Sequence, residues 1–308
     1  MDFIIFIVAM TALIYGADFV IKESERIALR FNISHYVIGA TLVAFGTSLP
    51  EMAASVMAAY AGKSEMAVAN VVGSVIFNIT LILGIVFLIS KKMVPNRDLF
   101  SLDSAWIVIP VVIFFIMIQD GVISRVDGIL YLLLMVSYLI FLFGSSKETL
   151  ESDIDEELIG EKFNWGFTVA LLLVGFVLTI GGANFVVESG TNIARNFGVS
   201  EWIIGLLLIA LGTSLPELVV SIVAIKKGNA EMSIGNIIGS NVANFSMVLG
   251  SASLLSPLSI DLFATKFDLF ILAAASITLV FILANKLYNR AGAIFLLIIL
   301  ALFIQNSL

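Results

Sequence analysis

Long apolar runs, separated by short charged segments, recur along the whole chain. A helix that crosses a bilayer needs about 20 such residues. Ten candidates are present, at 2–21, 36–61, 66–89, 104–119, 126–143, 164–187, 202–225, 231–254, 267–284 and 291–306. Stretches such as 130–143 are apolar on every face, so they lack the alternation of a barrel strand. With 60% hydrophobic and 13% charged residues and a mean hydropathy of +1.10, the chain cannot coat a water-soluble particle. The sequence therefore predicts an all-α integral membrane protein of ten transmembrane helices, and a soluble enzyme is excluded. No basic residues precede the first run and no small-residue cleavage site is evident, so it is read as an uncleaved span.

Lys and Arg divide unevenly between the two sides this layout creates. Twelve lie on the side away from the N-terminus (Lys22, Arg26, Arg30, Lys91, Lys92, Arg97, Lys147, Lys162, Lys226, Lys227, Lys286, Arg290) and four on the other (Lys63, Arg125, Arg195, Lys266). The positive-inside rule then puts both termini outside the cytoplasm, as expected for a multi-pass protein of the cell (inner) membrane. The net charge of -7 says little about partners, because seven acids crowd into the linker 144–163, read as a solvated cytoplasmic connection. The bilayer is the expected partner; no nucleic acid and no obligatory protein partner are implied, and the chain is expected to work as a monomer. With no cysteine and one histidine, His35, any metal must be held by oxygen, and His35 itself is read as a loop residue.

Residues 33–84 align without a gap to 199–250 at a constant offset of 166, with 22 identities. The chain is an internal duplication, with repeats at 1–143 and 164–308 joined by the linker 144–163. Each repeat holds five predicted spans. Because five is odd, the second must enter the membrane from the opposite side, which is the inverted-repeat plan of many secondary transporters.

The duplication preserves two motifs. Gly46-Thr47-Ser48-Leu49-Pro50-Glu51 matches Gly212-Thr213-Ser214-Leu215-Pro216-Glu217 residue for residue. Each proline lies within an apolar run, lacks an amide hydrogen and clashes with the preceding turn, so helices 2 and 7 are predicted to break there. Carbonyls freed by a break are tolerated in hydrocarbon only where protein, water or an ion satisfies them. Ala44, Gly46 and Thr47, with Ala210, Gly212 and Thr213, are placed to present such oxygens. The glutamate after each proline costs about 2.5 kcal/mol or more at a helix centre, and no basic residue lies at matching depth. Protonation or a bound cation is left as the counter-charge. Two carboxylates amid neutral oxygens suit hard cations such as calcium and sodium.

In the second motif, Ser74 and Asn78 stand four apart, as do Ser240 and Asn244. That spacing puts a hydroxyl and an amide on one helix face, able to complete an oxygen cage. Gly73, Gly235 and Gly239, with the two serines, also fit small-residue helix packing. Asn70, Asn236 and Asn241 read as interhelical hydrogen-bonders and are left out of the site. Asp18 and Asn184 are read as solvated span ends.

On these paired strings the chain resembles the sodium/calcium exchangers of the calcium/cation antiporter superfamily, over nearly its whole length. The resemblance implies a ten-helix antiporter that swaps sodium for calcium by alternating access, with no cofactor. It implies Glu51 and Glu217 as shared ligands, Thr47 and Thr213 adding carbonyl and hydroxyl oxygens, and Ser48, Ser74, Ser214 and Ser240 serving flanking sodium sites. It also implies ligation by the Ala44 and Ala210 carbonyls and closure by Asn78 and Asn244. Potassium-dependent relatives, and some prokaryotic members, carry an aspartate where Asn244 stands; the formal charge of -2 here argues against a potassium co-ion, and a third sodium per calcium implies electrogenic exchange. Proton-coupled relatives typically carry an asparagine where Thr47 and Ser48 stand. The first and sixth spans are implied to slide as a pair, packed through Gly16, Gly181 and Gly182. Exchange of calcium for protons, or of another divalent cation, remains open on the same oxygens. A channel fits less well, because conduction requires weak multi-site binding. No HExxH or G-x-S-x-G string supports an enzyme.

Overall fold

The computed structural model describes residues 1–90, 95–145, 163–197 and 212–307. In hydrocarbon the backbone must bond to itself, so the apolar runs become helices. They are α1 (Asp2–Phe31), α2 (His35–Thr47), α3 (Leu49–Tyr60), α4 (Ser64–Ile89), α5 (Leu99–Met117), α6 (Arg125–Ser145), α7 (Trp165–Asn196), α8 (Leu215–Lys226), α9 (Ala230–Leu255), α10 (Lys266–Ala284) and α11 (Arg290–Ser307). Their ends are marked by local chemistry. Asn32 closes α1 in the left-handed conformation (φ 55°). The side chains of Ser34, Asp98 and Asn164 accept the amides of Val37, Ser101 and Phe167 at the starts of α2, α5 and α7.

Among the described residues, seven helices are long and apolar enough to cross a membrane, namely α1, α4, α5 with its following turn, α6, α7, α9 and α10; α2 and α3 make an eighth if counted as one span bent by 45°. The expected ten are therefore not all visible as such. The last run forms α11, which is short for a span, and the seventh (202–225) is described only from residue 212 onward, ending in α8. Two spans run longer than expected: α1 continues to Phe31 and α7 to Asn196. In α1 the polar extension is neutralised in part by Arg26, 2.8 Å from Glu23. Most of the acidic linker lies outside the described residues.

The helices that carry the paired motifs are the interior ones. In α4 and α9, 72% and 83% of the apolar window is buried, against 28–39% in α1, α5, α6 and α7. Glycine permits this centre to close. A Cβ on Gly235 would collide with the Tyr36 carbonyl, and one on Gly239 with the Ala40 carbonyl, so α9 lies directly on the backbone of α2. Gly73 differs, with open space beside it.

Helices α1 and α7 form an antiparallel pair, with Phe3 against Phe197 at one end (6.3 Å) and Phe31 against Trp165 at the other (5.4 Å). A Cβ on Gly16 would stand 2.6 Å from Thr179 N, and one on Gly182 would stand 2.7 Å from Leu13 N. Gly181, expected to share this packing, instead has nothing near it; one residue's rotation carries it off the shared face. His35 is also not a loop residue. It opens α2 and is 3% exposed. Asp18 is not simply solvated, since its Oδ1 lies 2.6 Å from Lys227 Nζ.

At the end of the bundle that holds the start of α5, Arg97 binds Asp103 through Nε (2.7 Å) and Nη2 (3.1 Å), and its guanidinium lies 4.5 Å from the centre of the Tyr36 ring. The carboxylate is fully buried. Removing one partner strands a charge, which costs about 3–5 kcal/mol. Arg97→Ala is expected to lower unfolding stability in detergent by that order, whereas Arg97→Met with Asp103→Leu recovers most of the loss. Thermal melts of the three proteins check this.

Candidate cation-binding site

The first predicted break is present: Ser48 leaves helical geometry (φ -84°, ψ 6°) and α3 restarts with Pro50 in its first turn. In the second half Ser214 has the same geometry (φ -87°, ψ 6°) and α8 starts with Pro216 in its first turn, while the stretch before residue 212 lies outside the described residues. Proline is accepted there because first-turn amides have no helical partner. Its missing amide is felt upstream, at the carbonyls of the preceding turn. Each glutamate thus sits in the first turn of a new helix, where the positive end of the helix dipole favours an anion.

Glu51 and Glu217 are fully buried. The halves hold each other's acids: Ser48 donates to Glu217 Oε1 (3.0 Å), and Ser214 donates to Glu51 Oε1 (3.2 Å). The threonines cross over likewise, with Thr47 donating to Asn236 Oδ1 (3.2 Å) and Thr213 to Asn70 Oδ1 (3.5 Å). Asn70 in turn donates to Ser55 Oγ (2.9 Å) and the Glu51 carbonyl (3.2 Å), and Asn236 to Ser221 Oγ (3.0 Å) and the Glu217 carbonyl (3.5 Å). Every one of these bonds has its counterpart 166 residues away with the halves exchanged. Asn70 and Asn236 are thus braces of the two breaks, as their reading as interhelical hydrogen-bonders implies. Ser55 and Ser221 were not anticipated; their identity at the shared offset was the available signal.

The second motif meets the first. Ser240 donates to the Ala44 carbonyl and to Glu217 Oε1, both at 3.5 Å. Ser74 is buried and borders a cavity. Asn78 and Asn244 are fully buried and each opens a wide π-helical turn, Asn78–Ile82 and Asn244–Leu249, a local geometry common at functional positions. No pattern of residues along the chain marks these turns. Ala44 faces the same cluster through its carbonyl, which also accepts from Ser48 N (3.0 Å) and Thr47 Oγ1 (3.3 Å). Ala210 lies outside the described residues.

What the cluster lacks is as informative as what it holds. Glu51 Oε2, Glu217 Oε2, Asn78 Oδ1 and Asn244 Oδ1 are buried without a hydrogen-bond partner. Buried polar atoms are ordinarily paired, and four orphaned acceptor oxygens among the two matched motifs suit a positively charged guest. Among the described residues no group of three or more Asp, Glu, His or Cys gathers for a metal, so the cluster offers two anions diluted with neutral oxygens. A cavity of about 510 Å³ reaches this layer at Asn70, Ser74 and Thr213. Glu65 and Asp268 also line it, within mostly apolar walls such as Val72, Ile76 and Phe303.

Comparison with known proteins agrees with this arrangement. The sodium/calcium exchanger protein family matches residues 1–144 and 167–308. The chain is 30% identical over 322 residues to the sodium/calcium exchanger MaX1 of Methanosarcina acetivorans, covering 92% of this chain and 91% of that one. It is 34% identical over 278 residues to the putative antiporter CaxA of Alkalimonas amylolytica, covering 89% and 86%. A solved structure of the sodium-calcium exchanger NCX_Mj, soaked with sodium and calcium, superposes with a TM-score of 0.82 at 31% identity, over 99% of this chain and 97% of that one. The chain is a multi-pass membrane protein of the sodium/calcium exchanger family.

Proposed function

We propose that this protein is a secondary antiporter that exchanges sodium for calcium through one site built around Glu51 and Glu217. The observation that carries the reading is the pair of buried carboxylates, each tethered by the opposite half's serine and each keeping one oxygen without a partner. The proposed ligands are Glu51, Glu217, Thr47, Thr213, Asn78, Asn244, Ser48, Ser214, Ser74, Ser240 and the carbonyls of Ala44 and Ala210. Calcium accepts about 6–8 oxygens in flexible geometry, which such a set supplies. Exchange follows from sharing: ions that need the same two carboxylates displace one another.

The proposed architecture is ten spans in two inverted five-helix repeats, with both termini outside the cytoplasm. The antiparallel α1–α7 pair and the hydrogen bonds that repeat with the halves exchanged support it. Counted by Lys and Arg, Glu65 and Asp268, which line the cavity, belong to the extracytoplasmic side; alternating access requires a conformer with access from each side. The glycine contacts between α1 and α7 pack the two helices closely on each other, as a pair that moves as one unit over the other helices needs. One polypeptide holds the whole proposed site, in keeping with a monomer.

Two sodium ions balance the site's formal charge of -2, so a third carries net charge. Vesicles loaded with sodium and diluted into sodium-free calcium medium are expected to take up calcium, faster when the interior is made positive. A pH gradient alone is expected to drive none. Calcium uptake driven equally by protons would transfer the assignment to calcium/proton exchange, and no effect of potential would refute electrogenic transport.

Removing either acid takes one of the two anionic ligands from the shared site, so Glu51→Gln and Glu217→Gln are each expected to weaken calcium transport about 100-fold or more. Full activity in either variant would remove that glutamate from the site. Asn244→Asp raises the formal charge to -3; potassium, without effect on the wild type, is expected to stimulate this variant in the same flux measurement.

A further inference from the structure

The duplication is broken at one position inside the cluster. Asn241 in α9 stands where the first half has Val75. Both line a void of about 10 Å³ whose other walls are apolar, among them Trp106, Pro110 and Phe245. The asparagine reaches across the halves, where its Oδ1 accepts from Asn78 Nδ2 at 3.0 Å. Asn78 is fully buried and Asn241 is 5% exposed. In this pairing the nitrogen end of the Asn78 amide is held and its Oδ1 is the end without a partner, while Asn241 Nδ2 is also buried and unpartnered. Asn244 is the counterpart of Asn78, and both of its amide atoms are unpartnered. Valine at position 75 can offer no hydrogen bond.

The terminal torsion of asparagine is broad and roughly two-fold, so an unanchored amide can present either its oxygen or its NH2 group. Only the oxygen attracts a cation. We propose that Asn241 is a positioning residue that accepts from the Asn78 amide when its carbonyl oxygen is turned to the transported cation, making the two matched asparagines inequivalent: the ion-facing orientation of Asn78 has a protein partner, while that of Asn244 has none. This rests on the proposed function of the site. Asn241 touches no ion; it acts through Asn78, at the position where its repeat partner carries a side chain without polar atoms.

The test is a double-mutant cycle on the full-length protein, read as calcium-dependent protection from thermal unfolding and as KM and maximal rate of calcium flux in vesicles. Loss of one buried neutral hydrogen bond predicts that Asn241→Val weakens apparent calcium affinity and raises KM by about three- to tenfold. The maximal rate stays near wild type, and the melting temperature without calcium falls modestly because Asn78 Nδ2 is left unpaired. Asn78→Ala weakens binding by more, and adding Asn241→Val to it changes little further, because the brace then has nothing to orient. Should Asn241→Val fail to fold, the isosteric Asn241→Leu replaces it in the cycle. Wild-type calcium affinity in a folded variant overturns the proposal, as do additive effects of the two substitutions. A lowered melting temperature with unchanged KM likewise overturns it, by reducing Asn241 to a packing residue. If calcium does not protect the wild type, the reading of the site fails and this inference with it; if calcium protects wild type and Asn241→Val equally, only the inference falls.

Discussion

Two carboxylates buried in the interior of an apolar helix bundle set the terms for everything around them. Insertion of each is costly, and no Lys, Arg or His lies at that depth in the predicted spans. The chain meets the cost with three devices. Proline breaks place each acid in the first turn of a helix, serines from the opposite half hold one oxygen of each, and the other oxygen keeps free valence for a guest. Neither acid is fully satisfied by protein alone. A site so built favours a positively charged occupant, as the proposed exchange requires.

The same bonds explain why duplication serves this chemistry. Glu51 accepts from Ser214 and Glu217 from Ser48, so neither half forms its part of the cluster without the other. The close approach of α9 to α2 rests on Gly235 and Gly239, which bear no side chain that would hold the backbones apart. Departures from symmetry then become meaningful. Asn241 against Val75 alters one wall of the cluster, and Ser240, unlike its counterpart Ser74, donates to the acid of its own half.

Much of this was legible in the sequence because it depends on local chemistry repeated twice. Proline within an apolar run forces a break whatever surrounds it, and an acid beside each break can be recognised without coordinates. The roles of Asn70 and Asn236 as braces also followed from residue type. What could not be read depended on rotation and register. Gly181 looked equivalent to Gly182 but falls off the α1 face, and His35 looked like a loop residue but begins α2. The π-helical turns at Asn78 and Asn244 shift the side chains that follow them, and no pattern of hydrophobicity records an inserted residue in a helix that is apolar all round. Span counting met a similar limit: α11 is short for a bilayer, and the run at 202–225 is described only in part.

The central claim is that one cation is shared between Glu51 and Glu217. Anomalous diffraction from crystals soaked in strontium, a larger divalent with calcium-like oxygen chemistry, tests it directly. The account predicts a single strong peak between the two carboxylates, at a distance from an oxygen of each slightly beyond calcium's about 2.3–2.6 Å, and its loss when sodium replaces strontium in the soak. A peak bound to only one glutamate, or strong occupancy elsewhere with both carboxylates unvisited, would contradict it.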